Sequence, residues 1–261
     1  MKLSRKNENR IHFLDEARGF AVFLMIFYHA FYLLYSAFGL KWAYDLFVFF
    51  MPVEPIFAAL FMFVSGISTS LSRNNLKRGL ILLGVALGFT AVTAFVMPAL
   101  GFVECEIYFG ILHFLSCSII IFSLCRKPLS KISPFAGMLI CTVLYPFFGQ
   151  IENGILRYGS LAVFQLPDSL YETDWLMPFG IHSDAFFSAD YFPLLPNIFI
   201  FLAGAFLGMH LVKNGFPKWS YPKRNAFFGF LGRNALIIYI AHMPVIFAVS
   251  YGIELIINMF K

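Results

Sequence analysis

Charged residues are scarce in this chain: they make up 13% of its 261 residues, whereas hydrophobic residues make up 60%. A soluble domain carries about 25% charged residues, and a chain with so few cannot cover a globule of this size with polar groups. The low charge therefore excludes a soluble globular protein. Lipid must surround most of the surface, and the composition predicts an integral membrane protein.

The hydrophobic runs also lack the period-two alternation of membrane β-strands. They are continuous for roughly 18–25 residues, the length at which a helix crosses about 30 Å of hydrocarbon. Because every backbone polar group in lipid must be satisfied within the chain, such runs form helices there. We predict an all-α, polytopic bundle of about seven transmembrane helices, with residues 1–261 forming a single domain.

The predicted spans follow the long hydrophobic runs, and prolines interrupt the outer part of the second. After the fifth span comes an aromatic stretch that is broken by prolines, and its first part, 151–166, is open to interpretation as a short extra helix. The predicted spans are 13–38, 47–70, 79–98, 107–124, 132–148, 196–212 and 228–247, the last with room to extend to 259.

Metal-binding and signal-peptide patterns are also absent from the sequence. The four cysteines show no CxxC spacing, and no HxxxH pair suggests a zinc site. The first hydrophobic run is too long for a cleavable signal peptide and lacks a small-residue cleavage site. We predict no metal site, and we find no internal repeat of the kind that builds many transporters.

Basic residues are distributed unevenly over the connecting loops. Fourteen Lys and Arg residues fall in the N-terminal segment and in the loops after the second, fourth and sixth spans, against three on the other side. Loops rich in Lys and Arg face the cytoplasm, so we predict a cytoplasmic N-terminus and an odd number of spans. The net charge of +5 then reflects topology, which argues against nucleic acid as a partner.

Ionisable side chains inside the predicted spans are expensive in lipid and are candidate functional residues. Arg18 and His29 are 11 residues apart on the first helix, which puts them on one helix face, about 16 Å apart along the axis. Arg18 would lie near the cytoplasmic edge and His29 near mid-membrane. The alternative is that Arg18 extends to the interface and that His29 packs as a structural histidine.

Two further histidines, His113 in the fourth span and His242 in the last, fall at a depth similar to that of His29. A neutral imidazole suits general-base chemistry near neutral pH, so convergence of the three would make a catalytic site. Each of them can equally serve as a structural hydrogen-bonding residue. Asp190, just before the sixth span, can orient a histidine, bind a substrate amine, or only start a helix.

The remaining candidates are cationic and lie at the predicted cytoplasmic side. Arg18, Arg78 and Arg233 fall at or near the inner ends of three spans. Guanidinium groups bind phosphate oxygens in a bidentate manner, so the three predict a ring that holds a polyanion. The alternative for Arg233 is a topological anchor at the membrane interface.

Five short motifs, in order along the chain, resemble those of a known family. They are Leu14-Asp15-Glu16-Ala17-Arg18-Gly19 with His29, Phe63-Val64-Ser65-Gly66-Ile67-Ser68, Gly110-Ile111-Leu112-His113, Asp190-Tyr191-Phe192-Pro193, and Leu231-Gly232-Arg233-Asn234 with Tyr239 and His242. Over about residues 10–250, the chain resembles the heparan-α-glucosaminide N-acetyltransferase catalytic family in its bacterial branch, and more distantly acyltransferase family 3.

The resemblance implies a transmembrane acyltransferase of the bacterial plasma membrane. Acetyl-coenzyme A would be the donor at the cytoplasmic side, and an extracytoplasmic sugar or glycan would accept the acetyl group. The ring of Arg18, Arg78 and Arg233 would then suit the phosphates of the coenzyme. A histidine would assist the transfer, and His29 matches the histidine that follows the arginine in acyltransferase family 3. The aromatic, acidic segment 150–194 is a candidate acceptor platform.

Two other functions stay open at this point. A small transporter or flippase for a lipid- or sugar-linked molecule would also need polar groups within a helical bundle, but it would need no coenzyme. A non-catalytic membrane scaffold would tolerate the loss of His29. The sequence leaves open the acceptor, the acyl chain length, the choice between N- and O-acylation, and the oligomeric state.

Overall fold

The structure, a computed structural model, describes residues 10–101 and 104–259 and is helical over most of that length. Within the described residues, seven helical segments are long and apolar enough to cross a membrane. They are His12–Phe38, Lys41–Leu71, Asn75–Ala99, Ile111–Leu129, Pro134–Asn153, Leu194–Asn214 and Ala235–Ile253. The prediction of an all-α, multi-pass bundle with about seven spans is confirmed.

The elements are labelled in chain order. The helices are α1 (His12–Phe38), α2 (Lys41–Phe50), α3 (Glu54–Leu71), α4 (Asn75–Ala91), α5 (Met97–Ala99), α6 (Ile111–Leu129), α7 (Pro134–Phe147), α8 (Leu194–Asn214), α9 (Ala226–Arg233) and α10 (Ala235–Met259). The strands are β1 (Ile155–Tyr158) and β2 (Leu161–Gln165).

The second span consists of two helices, α2 and α3, joined by a single 3-10 turn at Met51–Val53. Pro52 and Pro55 lie at this junction. Proline lacks a backbone N–H and its ring clashes with the carbonyl of the preceding turn, so the regular hydrogen-bond ladder stops and restarts there. The sequence predicted a break at these prolines, and the chain stays helical on both sides of it.

The chain divides into two compact units, which are described separately. The first comprises the described residues 10–64 and 216–259, in which α1 packs against α2, α9 and α10. The second comprises 65–215, in which α4 packs against α6, and α8 packs against α6 and α7. The single domain over 1–261 stays a prediction.

Helices α1 and α9 of the first unit approach each other backbone to backbone. A Cβ atom at Gly19 would overlap the carbonyl oxygen of Phe228, and a Cβ atom at Gly232 would overlap the carbonyl oxygen of Asp15. Small residues allow this close approach between membrane helices, where van der Waals packing supplies much of the attraction. The glycines of two sequence motifs therefore set the distance between α1 and α9.

The glycine of the Phe63–Ser68 motif has the same role in the second unit. A Cβ atom at Gly66 would overlap the carbonyl oxygen of Phe201, which lies in α8 and is fully buried. Any side chain at this position would force α8 away. This contact gives a packing reason for the motif.

The interpretation of 151–166 as an extra helix is wrong, because β1 and β2 form an antiparallel hairpin there. Gly154 before β1 has a φ of 72°, and Gly159 between the strands has a φ of 54°. Residues with a side chain rarely adopt such values, and glycine adopts them without steric cost. The two glycines end any helix and turn the chain back on itself.

The last predicted span, 228–247, is two helices rather than one. Helix α9 ends at Arg233, and α10 starts at Ala235 after Asn234, whose φ and ψ are −105° and 17°. The side chain of Asn234 donates a hydrogen bond to the carbonyl oxygen of Phe230 at 2.9 Å. The same carbonyl oxygen accepts a hydrogen bond from the backbone N–H of Asn234 at 3.2 Å, so both nitrogens of this residue bind the last turn of α9.

Candidate functional site

His29 on α1 and His242 on α10 lie side by side in the first unit. Their ring centroids are 5.0 Å apart and the ring planes meet at 62°. His242 is buried, and His29 is half-buried. Both were predicted as catalytic candidates from their cost inside a span, and the structure brings these two together.

Each of the two imidazole rings is held by a carbonyl group of its own helix. Nδ1 of His29 lies 3.0 Å from the carbonyl oxygen of Met25, and Nδ1 of His242 is hydrogen-bonded to the carbonyl oxygen of Tyr239. A carbonyl oxygen can only accept, so Nδ1 carries the proton in both rings. Nε2 of each neutral imidazole therefore holds the basic lone pair.

A tyrosine lies close to His29, and a carboxylate lies near that tyrosine. The ring of Tyr28 has its centroid 5.5 Å from that of His29, and Glu54 interacts electrostatically with Tyr28. Glu54 was not among the predicted site residues. Its position between Pro52 and Pro55, at a helix start inside a hydrophobic run, was the available signal.

Arg18 has an acidic neighbour that the sequence analysis did not assign to it. Its Nη1 lies 3.5 Å from Oδ1 of Asp15 and 3.5 Å from the carbonyl oxygen of Gly232. Asp15 also accepts a hydrogen bond from Nε of Arg10 at 2.7 Å. The charge of Arg18 is thus partly balanced within the first unit, and its side chain bridges α1 and α9.

Arg78 and Arg233 are in a different situation from Arg18. Arg78 is a half-buried residue of α4, and Arg233 is the exposed last residue of α9. Among the residues that the structure describes, neither guanidinium group has a hydrogen bond or ion pair. Arg78 belongs to the second unit and Arg233 to the first, and the ring of three arginines stays a prediction.

His113 and Asp190 are both found at the start of α6, in the second unit. Nδ1 of His113 accepts a hydrogen bond from the backbone N–H of Gly110 at 3.3 Å. Oδ2 of Asp190 accepts one from the backbone N–H of Ile111 at 3.0 Å. Free N–H groups at a helix start favour such acceptors, so the two side chains together cap α6.

The other ring nitrogen of His113 is also occupied. Its Nε2 lies 3.1 Å from Oγ1 of Thr90, which donates its own hydrogen to the carbonyl oxygen of Ile107 at 2.7 Å. The hydroxyl oxygen must therefore accept from the Nε2–H group. His113 has no nitrogen lone pair left for an incoming proton, and its convergence with His29 and His242 stays a prediction.

The segment of the second unit that is predicted to be extracytoplasmic carries an aromatic cluster. His182, Phe186 and Tyr191 have ring centroids 4.8–5.3 Å apart. Burial raises the pKa of the Tyr191 hydroxyl, and nearby Glu152 adds to this increase. The hydroxyl donates a hydrogen bond to the carbonyl oxygen of Met177 at 2.6 Å. The ring contacts and this hydrogen bond thus hold parts of the candidate acceptor platform, 150–194, against each other.

Comparison with known protein families identifies a match over most of the chain. The model of the heparan-alpha-glucosaminide N-acetyltransferase catalytic family matches residues 10–244, a range that contains all seven candidate site residues. No curated protein and no solved structure matches the chain significantly. The chain therefore belongs to the heparan-α-glucosaminide N-acetyltransferase catalytic family and is a multi-pass transmembrane acetyltransferase.

Proposed function

We propose that the protein transfers the acetyl group of acetyl-coenzyme A, bound at the cytoplasmic side of the bacterial plasma membrane, to an extracytoplasmic sugar or glycan. The observation that carries the proposal is the His29–His242 pair, whose centroids are 5.0 Å apart and whose Nε2 atoms hold the lone pairs. A basic pair of this kind within membrane-spanning helices is costly, and an acetyltransferase has a use for it.

His29 acts as the general base of the transfer. Its Nε2 accepts the proton of the acceptor hydroxyl or amine while the acceptor oxygen or nitrogen attacks the thioester carbonyl carbon. The carbon–sulfur bond then breaks, the acetyl group stays on the acceptor, and the imidazolium returns the proton to the coenzyme A thiolate. His242 supplies a second electron-rich nitrogen beside the imidazolium that forms on His29.

The donor phosphates bind at the cytoplasmic ends of the helices. Arg78 is the best-suited of the three predicted arginines, because its half-buried guanidinium group lacks a partner among the described residues. Arg233 contributes from the exposed end of α9. Arg18 contributes less, because Asp15, which also binds Arg10, partly balances its charge. Arg18 and His29 are about 16 Å apart along α1, a length that an extended pantetheine arm spans.

The acceptor binds at the extracytoplasmic side. The cluster of His182, Phe186 and Tyr191 offers aromatic faces on which a sugar ring can stack. An amine and a hydroxyl acceptor both fit the proton transfer to His29, and N- and O-acetylation are therefore equally compatible with it. Glu54, near Tyr28, supplies a carboxylate that would attract an amino sugar.

Binding of acetyl-coenzyme A to the purified protein in lipid nanodiscs tests the donor side of the proposal. We expect saturable binding by calorimetry and, with glucosamine as the acceptor probe, release of free coenzyme A thiol. Absence of any binding to the wild-type protein would remove the acetyl-coenzyme A proposal and favour a transporter.

Arg78→Ala is expected to weaken acetyl-coenzyme A binding by roughly 10–100-fold, because a hydrogen bond to a charged group contributes about 1.5–3 kcal/mol. The fold should tolerate the change, since no described residue would lose a hydrogen bond or ion pair with Arg78. The dissociation constant from calorimetry measures the effect. Arg78→Lys should weaken binding less than Arg78→Ala does, because lysine keeps the positive charge although it lacks the bidentate geometry of arginine.

Two controls make the Arg78 experiment specific. Arg73 is an exposed arginine that lies just before α4, and Arg73→Ala should leave the dissociation constant nearly unchanged. S-acetylpantetheine carries the thioester but lacks the nucleotide phosphates, so Arg78→Ala should not alter its use as a donor. Equal loss with both donors would show that Arg78 does not bind phosphate.

His113→Ala is expected to lower stability rather than to change the chemistry. Both ring nitrogens are engaged, with Gly110 and Thr90, and loss of a buried partner costs about 1–3 kcal/mol for each group left unsatisfied. The thermal midpoint should fall, while the pH profile of the folded fraction keeps its shape. A shifted pH profile at unchanged stability would instead support His113 as a catalytic base.

A further inference from the structure

The hairpin of β1 and β2 exposes apolar side chains on both of its faces. Leu161, Val163 and Phe164 of β2 are 68%, 55% and 55% exposed, and every residue of β2 is exposed. An antiparallel strand in a water-soluble protein normally buries one face in the core and keeps polar residues on the other. β2 does neither.

The position of the hairpin relative to α7 indicates what covers it. The hydroxyl of Tyr158 in β1 donates a hydrogen bond to the carbonyl oxygen of Val143 in α7 at 2.7 Å. The Tyr158 ring also lies on Phe147, with centroids 5.2 Å apart. The hairpin therefore rests against the outer part of a membrane-spanning helix.

Helix α7 also exposes an apolar face. Leu139 is 65% exposed and Val143 is 46% exposed, although both belong to the span Pro134–Asn153. Exposed apolar side chains on a transmembrane helix are covered by acyl chains. The contact of the Tyr158 ring with Phe147 places the apolar hairpin beside this exposed face of α7.

The backbone of the hairpin limits how deeply it can lie in the membrane. A two-stranded sheet has open edges whose N–H and C=O groups need partners, and such edges are excluded from the hydrocarbon region. Water and lipid headgroups satisfy them at the interface. Arg157 in β1 fits the same depth, because a guanidinium group is favourable beside lipid phosphates.

We propose that the β1–β2 hairpin is a membrane-surface anchor of the extracytoplasmic segment. The side chains of Leu161, Val163 and Phe164 insert into the headgroup region of the outer leaflet, and the partner is the phospholipid surface itself. The anchor fixes the segment that follows α7 at the bilayer surface. This role is independent of the acetyl-transfer chemistry.

Depth-dependent fluorescence quenching tests the anchor in the intact protein. The probe is Phe164→Trp in a variant whose three native tryptophans, at 42, 175 and 219, are replaced by phenylalanine. The protein is placed in phosphatidylcholine nanodiscs brominated either near the headgroup or near the chain end. We expect the shallow bromines to remove most of the fluorescence and the deep bromines to remove little.

Leu139→Trp in the same background is the matched control for a lipid-facing residue within the span, and deep bromines should quench it more strongly than they quench the Phe164→Trp probe. Quenching of the Phe164→Trp probe by aqueous iodide alone would overturn the proposal, because the hairpin would then face water. Protection from both quenchers would also overturn it, since protein, such as a second copy of the chain, would then cover β2. Leu161→Trp serves as the second probe if the Phe164→Trp variant does not fold.

Discussion

His29→Ala is expected to reduce the rate of acetyl transfer by about 10²–10⁴-fold, because a positioned general base contributes a factor of this size. The protein should remain folded, since His29 is half-buried and its hydrogen bond to the carbonyl oxygen of Met25 joins residues of the same helix. The measurement is the transfer rate in nanodiscs with acetyl-coenzyme A and glucosamine. Size-exclusion chromatography reports the folded fraction.

Helix α1 fixes the tautomer of the His29 imidazole. Donation of the Nδ1 hydrogen to Met25 fixes the tautomer, so Nε2 needs no proton rearrangement before it acts as a base. His29→Gln keeps an N–H donor for this carbonyl group but has no basic nitrogen. We therefore expect the glutamine variant to be as inactive as the alanine variant, which separates loss of the base from loss of packing.

His210 offers a matched control in α8. It is also a half-buried histidine, with its ring 4.9 Å from that of Phe135 and a hydrogen bond from Asn214. His210→Ala should retain the wild-type rate. Full activity of His29→Ala would remove the catalytic assignment of His29, and a rate that falls only in His242→Ala would transfer the role of the base to His242.

The number of spans could be predicted because it depends on local composition. A run of about 20 apolar residues is a helix in lipid whatever its neighbours are. The breaks within and between the helices were predicted less consistently. Pro52 and Pro55 predicted the turn between α2 and α3. The hairpin at 155–165 depends on Gly154 and Gly159, whose positive φ values the sequence analysis did not anticipate.

The sequence predicted individual residues of the candidate site but not the contacts between them. The cost of an ionisable group in a span identified His29 and His242, but their contact is tertiary and no pattern in the chain specifies it. The Asp15–Arg18 pair was within reach, because residues three apart on a helix are neighbours. The contact of Arg18 with the carbonyl oxygen of Gly232 could not be predicted in this way, because the two residues are far apart in the sequence and only the fold brings them together.

The motif glycines entered the sequence argument as a resemblance, and the structure gives them a physical reason. Gly19 and Gly232 each lie where the backbone of the other helix leaves no room for a methyl group. The atoms in the way are carbonyl oxygens and amide nitrogens, which cannot move aside as a flexible side chain can. Helix α9 leads through Asn234 into α10, the helix that carries His242.

Gly232→Ala is accordingly expected to destabilise the protein by about 3 kcal/mol or more, at the upper end of the range for overpacked cores. In a chain of this size, that loss lowers the thermal midpoint by roughly 6–12 °C. Gly19→Ala should behave in the same way. Gly252→Ala in α10 is the control, because a Cβ atom there meets nothing within 4 Å and alanine is the better helix former. Thermal unfolding in nanodiscs distinguishes them, and equal midpoints for Gly232→Ala and Gly252→Ala would refute the backbone contact between α1 and α9.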